Sequence, residues 1–163
     1  MKIGITGHQD LGAEETSRWI TTKIEEAIDK YHATLGFTSL AAGADQIFAE
    51  LLIKKKIPYV AVIPCENYEN TFIGKKSMTN FLLLVEESIE VQRLGYRKPS
   101  ETAFLEAGKQ VVKASQMMIA VWNGKKAVGK GGTADIVNYA VQNNKSVIHI
   151  NPVTKNVVSL TLG

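Results

Sequence analysis

Seven consecutive residues, Gly129-Lys130-Gly131-Gly132-Thr133-Ala134-Asp135, combine the backbone freedom and the polar groups needed to hold an anion. They follow the apolar stretch Met117–Trp122 and open a segment of helical period, Ile136–Gln142. In a strand, loop, helix order, the start of the helix presents backbone N–H groups without intrahelical partners, together with partial positive charge. Glycines let a phosphate approach the main chain closely, so this order predicts a site for a phosphorylated ligand. Lys125, Lys126 and Lys130 add positive charge around it.

Two other loops share this make-up of small residues plus a polar side chain. One carries Gly7, His8, Gln9 and Gly12, and the other Ala42, Gly43, Ala44 and Asp45. Taken singly, each has an ordinary explanation: Gly7 and Gly43 suit tight turns, and Asp45 and Thr133 suit helix N-caps. Three such loops at the carboxyl edge of one parallel sheet predict a pocket.

A scaffold must bring these loops together, and the sequence supplies one. Short β-branched runs alternate with stretches of helical period, the pattern of parallel strands joined by crossover helices. Strands are expected at Lys2–Thr6, Phe37–Leu40, Tyr59–Ile63 between Pro58 and Pro64, Met117–Trp122 and Ser146–Ile150. Trp19, Ile20, Ile24, Ala27, Ile28 and Tyr31 form one helical stripe, ended by Gly36, and Ile47, Phe48, Leu51 and Leu52 form another. Further helices are expected at Thr79–Gln92 and Glu101–Ala114. The basic run Arg93–Ser100 reads as a surface connection, and Glu66–Ser77 as an irregular stretch able to form a lid. The tail, Asn156–Leu162, alternates as an antiparallel edge strand would.

Composition narrows the class. The 163 residues are 45% apolar and carry a net charge of +3 with dispersed lysines, which predicts one α/β domain over residues 1–163 and no bias toward nucleic acid. Lys54-Lys55-Lys56 is explained by a helix C-terminus. One cysteine, Cys65, excludes an internal disulfide, and His8, His32 and His149 are far apart, so no metal or cofactor is expected. With no basic-then-apolar leader and no long apolar run, a cytoplasmic protein without membrane contact is expected. Leu82, Leu83 and Leu84 make a homodimer an expectation as well.

Two familiar phosphate motifs are absent. The Walker pattern requires Gly-Lys-Ser/Thr where this chain has Gly-Gly-Thr, and Gly4, Gly7 and Gly12 do not have the dinucleotide spacing. Instead, Gly4-Ile5-Thr6-Gly7-His8, Ser39-Leu40-Ala41-Ala42-Gly43-Ala44-Asp45 and Ile119–Gly124 leading to Gly131-Gly132-Thr133-Ala134-Asp135 resemble the SLOG superfamily. That superfamily takes in the Lonely Guy phosphoribohydrolases and the Rossmann-like domain of DNA-processing protein A. The resemblance implies a single Rossmann-like three-layer α/β domain, mainly parallel with an antiparallel C-terminal edge strand. It also implies a nucleotide or nucleotide-derived sugar phosphate, such as AMP or ADP-ribose, as the ligand. Phosphate is then expected on Gly131, Gly132 and Thr133, ribose hydroxyls on Asp45 or Asp135, and the sugar or base near His8, with Gly7 and Gly43 in the supporting loops.

Lonely Guy enzymes place a glutamate three residues beyond the motif threonine, where this chain has Ile136. Asp135 lies one residue earlier, turned about 100° around the helix. The sequence therefore favours holding the ligand, as a sensor or binding protein, over cutting it. The alternative activity is N-glycosidic hydrolysis or deoxyribosyl transfer, with Glu66 and Glu106 as candidate catalytic carboxylates. Single-stranded DNA binding ranks last, because it needs a basic track with stacking aromatics.

Overall fold

Continuous apolar runs build the central strands here, and apolar residues every third or fourth position build the helices. The computed structural model describes residues 1–126 and 129–161. Its elements are β1 (Lys2–Gly7), α1 (Glu14–Lys30), β2 (Leu35–Thr38), α2 (Ala44–Lys54), β3 (Tyr59–Cys65), a short 3-10 helix (Tyr68–Thr71), α3 (Lys75–Glu87) and β4 (Glu90–Tyr96). They continue with α4 (Glu101–Ala114), β5 (Met117–Val121), α5 (Thr133–Gln142), β6 (Ser146–Asn151) and β7 (Asn156–Leu160).

The strands form one sheet in the order β4-β3-β2-β1-β5-β6-β7. Neighbours are parallel except β6 and β7, whose antiparallel register runs from Val147 opposite Leu160 to Asn151 opposite Asn156. The antiparallel C-terminal edge strand is thus as expected through Leu160; Leu162 lies outside the described residues.

Strand alternation divides the interior into two cores. Ile3, Ile5, Ala61, Ile63, Met117, Ile119 and Val121 point toward α1, α2 and α3, where Ile20, Ile24, Phe48, Leu52 and Leu84 meet them. Val60, Val62, Met118 and Ala120 point the other way, onto Ala107, Val111 and Val112 of α4 and Ile136, Val137 and Ala140 of α5. Burial on both faces explains why the central strands read as continuous apolar runs. Lys54 and Lys55 end α2 by pairing with Glu25 and Asp29 of α1.

Three expectations need correction. The helix expected over Thr79–Gln92 ends at Glu87, and the basic connection becomes strand β4. The N–H of Ile89 bonds to the Tyr59 carbonyl at 3.0 Å and draws the chain into the sheet, leaving the Ile89 side chain 64% exposed. Gly36 lies inside β2 and ends no helix, α1 having closed at Lys30. Pro64 does not close β3, which continues to Cys65 through a register shift against β4, the kind of irregularity where a missing N–H is tolerated. Of the leucine trio, Leu82 and Leu83 are exposed and Leu84 is buried. Among the described residues no helix is long and apolar enough to cross a membrane.

Candidate functional site

From β1 the chain adds strands toward β4 on one side, and from β5 toward β7 on the other. Where the strand order reverses, here between β1 and β5, an open parallel sheet leaves a crevice outside its carboxyl ends. A cavity of about 580 Å³ occupies this place, a size suited to a small molecule. All three predicted loops reach it, through Gly7 and His8, through Asp45, and through Gly131, Gly132 and Thr133. Lys125 and Lys126 also line it.

His8 knits the loops together. Its N–H donates to the Val121 carbonyl at 3.0 Å, its carbonyl accepts from the Ala44 N–H at 3.2 Å, and its Nε2 accepts from the Asn123 N–H at 3.0 Å. The last bond requires an unprotonated Nε2. Burial lowers the pKa of the ring, with an Asn123 side-chain contact pulling the other way.

Asp45 is 5% exposed, and its Oδ2 accepts from the Thr38 hydroxyl at 2.9 Å and the Ser39 N–H at 3.1 Å. Burial pushes its carboxyl up to about 7, against the opposing effect of the bonds from Thr38, Ser39 and Ala41. These contacts make it a clamp on the β2–α2 loop. Gly43, just before it, has φ +83°, and a Cβ there would run into the His8 and Gln9 carbonyls. Gly43 therefore supports the wall through close packing and is not itself on the cavity surface.

At α5 the arrangement differs. Gly132 caps the helix with no side-chain bond. The Gly131 N–H goes to Asp135 Oδ2 at 3.0 Å, which turns that carboxylate back onto its own loop. Gly131 has φ +81° and passes close to the backbone of α4, where a Cβ would sit 2.8 Å from the Leu105 nitrogen. The N–H groups of Gly132, Thr133 and Ala134 have no hydrogen bond among the described residues, and all three residues line the cavity. Lys130 is exposed and lies off the cavity surface; Ala127 and Val128, which precede this loop, lie outside the described residues.

Neither candidate glutamate lines the cavity. Glu66 is exposed just past β3, its N–H bonded to the Tyr96 carbonyl at 3.0 Å. Glu106 pairs with Lys109 at 3.3 Å and borders a separate depression beside Gly95 and Tyr96. Among the described residues, Asp45 is the one carboxylate on the cavity wall. Ile136 also faces it, 2% exposed and packed against Gly108 of α4. No cluster of three His, Cys, Asp or Glu among those residues is placed to hold a metal ion.

The sequence reading missed Tyr68, Thr71 and Phe104, which close the cavity on the β3 side, and Trp122 and Asn123, which close it on the β5 side. Glu66–Ser77 is accordingly not a free lid. Tyr68 is buried, with Phe72 and Phe81 edge-on at 5.3 and 5.4 Å. An aromatic residue in an otherwise polar stretch was the available signal.

Sheet order, layering and crevice together define a Rossmann-like α/β fold. No protein-family model and no curated protein matches the chain. Among solved structures it is similar to DNA processing protein A from Streptococcus pneumoniae, at 13% identity and TM-score 0.66, over 91% of this chain and 49% of that one. It is similar too to DNA processing protein A from Helicobacter pylori, described for its single-stranded DNA binding mode, at 16% identity and TM-score 0.66 over 91% and 64%. A third is the molybdenum cofactor binding protein from Rippkaea orientalis, at 16% identity and TM-score 0.58 over 92% and 76%. The chain thus spans about half of the first structure and under two thirds of the second. At these identities the likeness is one of fold.

Proposed function

We propose that the cavity binds a nucleotide or nucleotide-derived sugar phosphate and that the chain acts as a sensor or binding protein. One observation carries this reading: the N-terminus of α5 opens into the cavity with N–H groups at Gly132 and Thr133 that have no partner among the described residues, and Lys125 and Lys126 line the same cavity. A phosphate there gains backbone donors, helix dipole and two cations at once. The Thr133 hydroxyl is a further donor on the same wall, while the Gly131 N–H takes part only if Asp135 releases it. His8, midway along the crevice, suits the sugar.

Binding without cleavage follows from what lies next to that phosphate. Bond cleavage at a glycosidic carbon requires a carboxylate free to act there, and Ile136 supplies hydrocarbon instead. Asp45 has its Oδ2 committed to Thr38 and Ser39. AMP and ADP-ribose titrated by calorimetry should bind, and chromatography should detect no released base after prolonged incubation. Release of base, abolished by Glu66→Gln or Glu106→Gln, would reverse the reading in favour of an N-glycosidase.

Single-stranded DNA is the second reading, favoured by the likeness to the Helicobacter pylori protein. It predicts tight, strongly salt-dependent binding of a labelled oligothymidine. The nucleotide reading predicts that AMP binds far better than the oligonucleotide at physiological salt.

A further inference from the structure

The two ends of the cavity differ in chemistry. Its cations, Lys125 and Lys126, stand on the β5 side with the α5 N-terminus, whereas Pro64, Tyr68, Thr71 and Phe104 on the far side bring no cation, with Asp45 the one carboxyl near Tyr68 among the described residues. β5 and β3 are separated in the sheet by β1 and β2, three strand spacings or about 14 Å. Inorganic phosphate would fill one end and leave the other empty. A ligand that uses the whole crevice carries its anion on one end and an uncharged group on the other.

Tyr68 indicates what that uncharged group is. The residue is 6% exposed, and Phe72, Phe81 and Phe104 hold its ring at centroid distances of 5.3, 5.4 and 6.1 Å. Its hydroxyl has no hydrogen-bond partner among the described residues and is not sealed from solvent, and the residue lies on the cavity wall. A tyrosine hydroxyl on a cavity wall with no protein partner is free to donate to a molecule that enters. Burial, and after it the nearby Asp45 and Cys65, hold the phenol well above its ordinary pKa, so it keeps its proton at neutral pH. Phe104 and Pro64 beside it offer flat apolar surfaces, the kind on which a planar ring packs.

The geometry points to a ring subsite: an uncharged, planar nitrogen heterocycle packs against Phe104 and Pro64 and accepts a hydrogen bond from the Tyr68 hydroxyl. The phosphate of the same molecule sits at α5, so this assignment rests on the proposed function and narrows its ligand class. Tyr68 is the specificity-determining residue at this end, and Phe104 supplies the packing.

Calorimetry with three kinds of probe tests it: ribose 5-phosphate without a ring, adenosine and uridine without a phosphate, and AMP and UMP with both. The tighter-binding nucleotide should exceed ribose 5-phosphate by about tenfold or more. Tyr68→Phe, which keeps the ring packing, should weaken that nucleotide by about five- to tenfold and leave ribose 5-phosphate unchanged. Phe104→Leu should show the same selectivity. Equal affinity for ribose 5-phosphate and both nucleotides, or equal loss of all of them in Tyr68→Phe, would overturn the ring subsite. Nucleoside binding that depends on Tyr68, with no binding of ribose 5-phosphate, would keep the ring subsite and remove the phosphate reading. Binding of none of the probes would remove both.

Discussion

Helices α2 and α5 begin at the same edge of the sheet, after loops of nearly the same composition, yet the first N–H of α2 is taken by a neighbouring loop and that of α5 is not. At α2 the neighbouring loop arrives first: the His8 carbonyl takes the Ala44 N–H, and Gly43 at φ +83° lets the two backbones meet. Asp45 turns away from the helix start to clamp Thr38 and Ser39. At α5 the clamp is Asp135 on the Gly131 N–H, and the next three N–H groups have no partner among the described residues. A small-residue loop before a helix is therefore an anion site only where no other backbone fills it. Composition makes the donors available; packing decides who receives them.

Four substitutions test that contrast. The largest effect is expected at the closed end. Burial raises the Asp45 carboxyl from 3.8 to about 7, so between those values the folded chain keeps a proton that the unfolded chain releases. Its contribution leaves stability unaffected below 3.8, lowers it as pH rises toward 7, and is level above. The full drop is on the order of 4 kcal/mol. Asp45→Asn, which mimics the protonated form, should flatten this slope in denaturant melts between those pH values; an unchanged slope would place the titration elsewhere. Gly43→Ala comes next, at about 3 kcal/mol of lost stability from the positive φ and the clash with two carbonyls. Urea unfolding measures it, and a loss under 1 kcal/mol, roughly the size of an ordinary surface change, would show that the closure is loose.

At the open end the effects fall on binding. Gly132→Glu places a carboxylate at the proposed phosphate position and should weaken AMP at least about 100-fold, or roughly 2.7 kcal/mol, with melting temperature close to that of the parent. Retained affinity would move the phosphate off α5. The smallest effect is that of Lys126→Gln, a loss of about threefold that shrinks as salt is raised, since an exposed charge acts through screened attraction.

Much of the fold was legible because the central strands are buried on both faces and the helices present one apolar stripe. β4 was not legible. It lies at the edge of the sheet, where Glu90, Val91, Arg93 and Gly95 are exposed, so it lacks the apolar alternation that marks a strand. The preceding helix pattern runs on through Ile89, and only the bond from its N–H to Tyr59 shows that the chain has changed partner. At the site, the three loops were readable because glycine and small residues before helices have a local meaning. Tyr68 and Phe104 were not, since they come together from α4 and the 3-10 helix through tertiary packing. Asp45, expected to hold ribose hydroxyls, lies on the cavity wall with its Oδ2 in buried contacts that clamp its own loop. The placement of Glu106 depends on the rotation of α4, which no spacing in the sequence determines.

The proposal places the anion at the start of α5 and not at that of α2, whose first N–H is already bonded to His8, and amide chemical shifts report on those groups one by one. In a titration of the labelled protein with ribose 5-phosphate, the largest shifts are expected at Gly132, Thr133 and Ala134, with Ala44 and Asp45 little changed. Shifts centred on Ala44 and Asp45, or none at the start of α5 at saturating ligand, would contradict it.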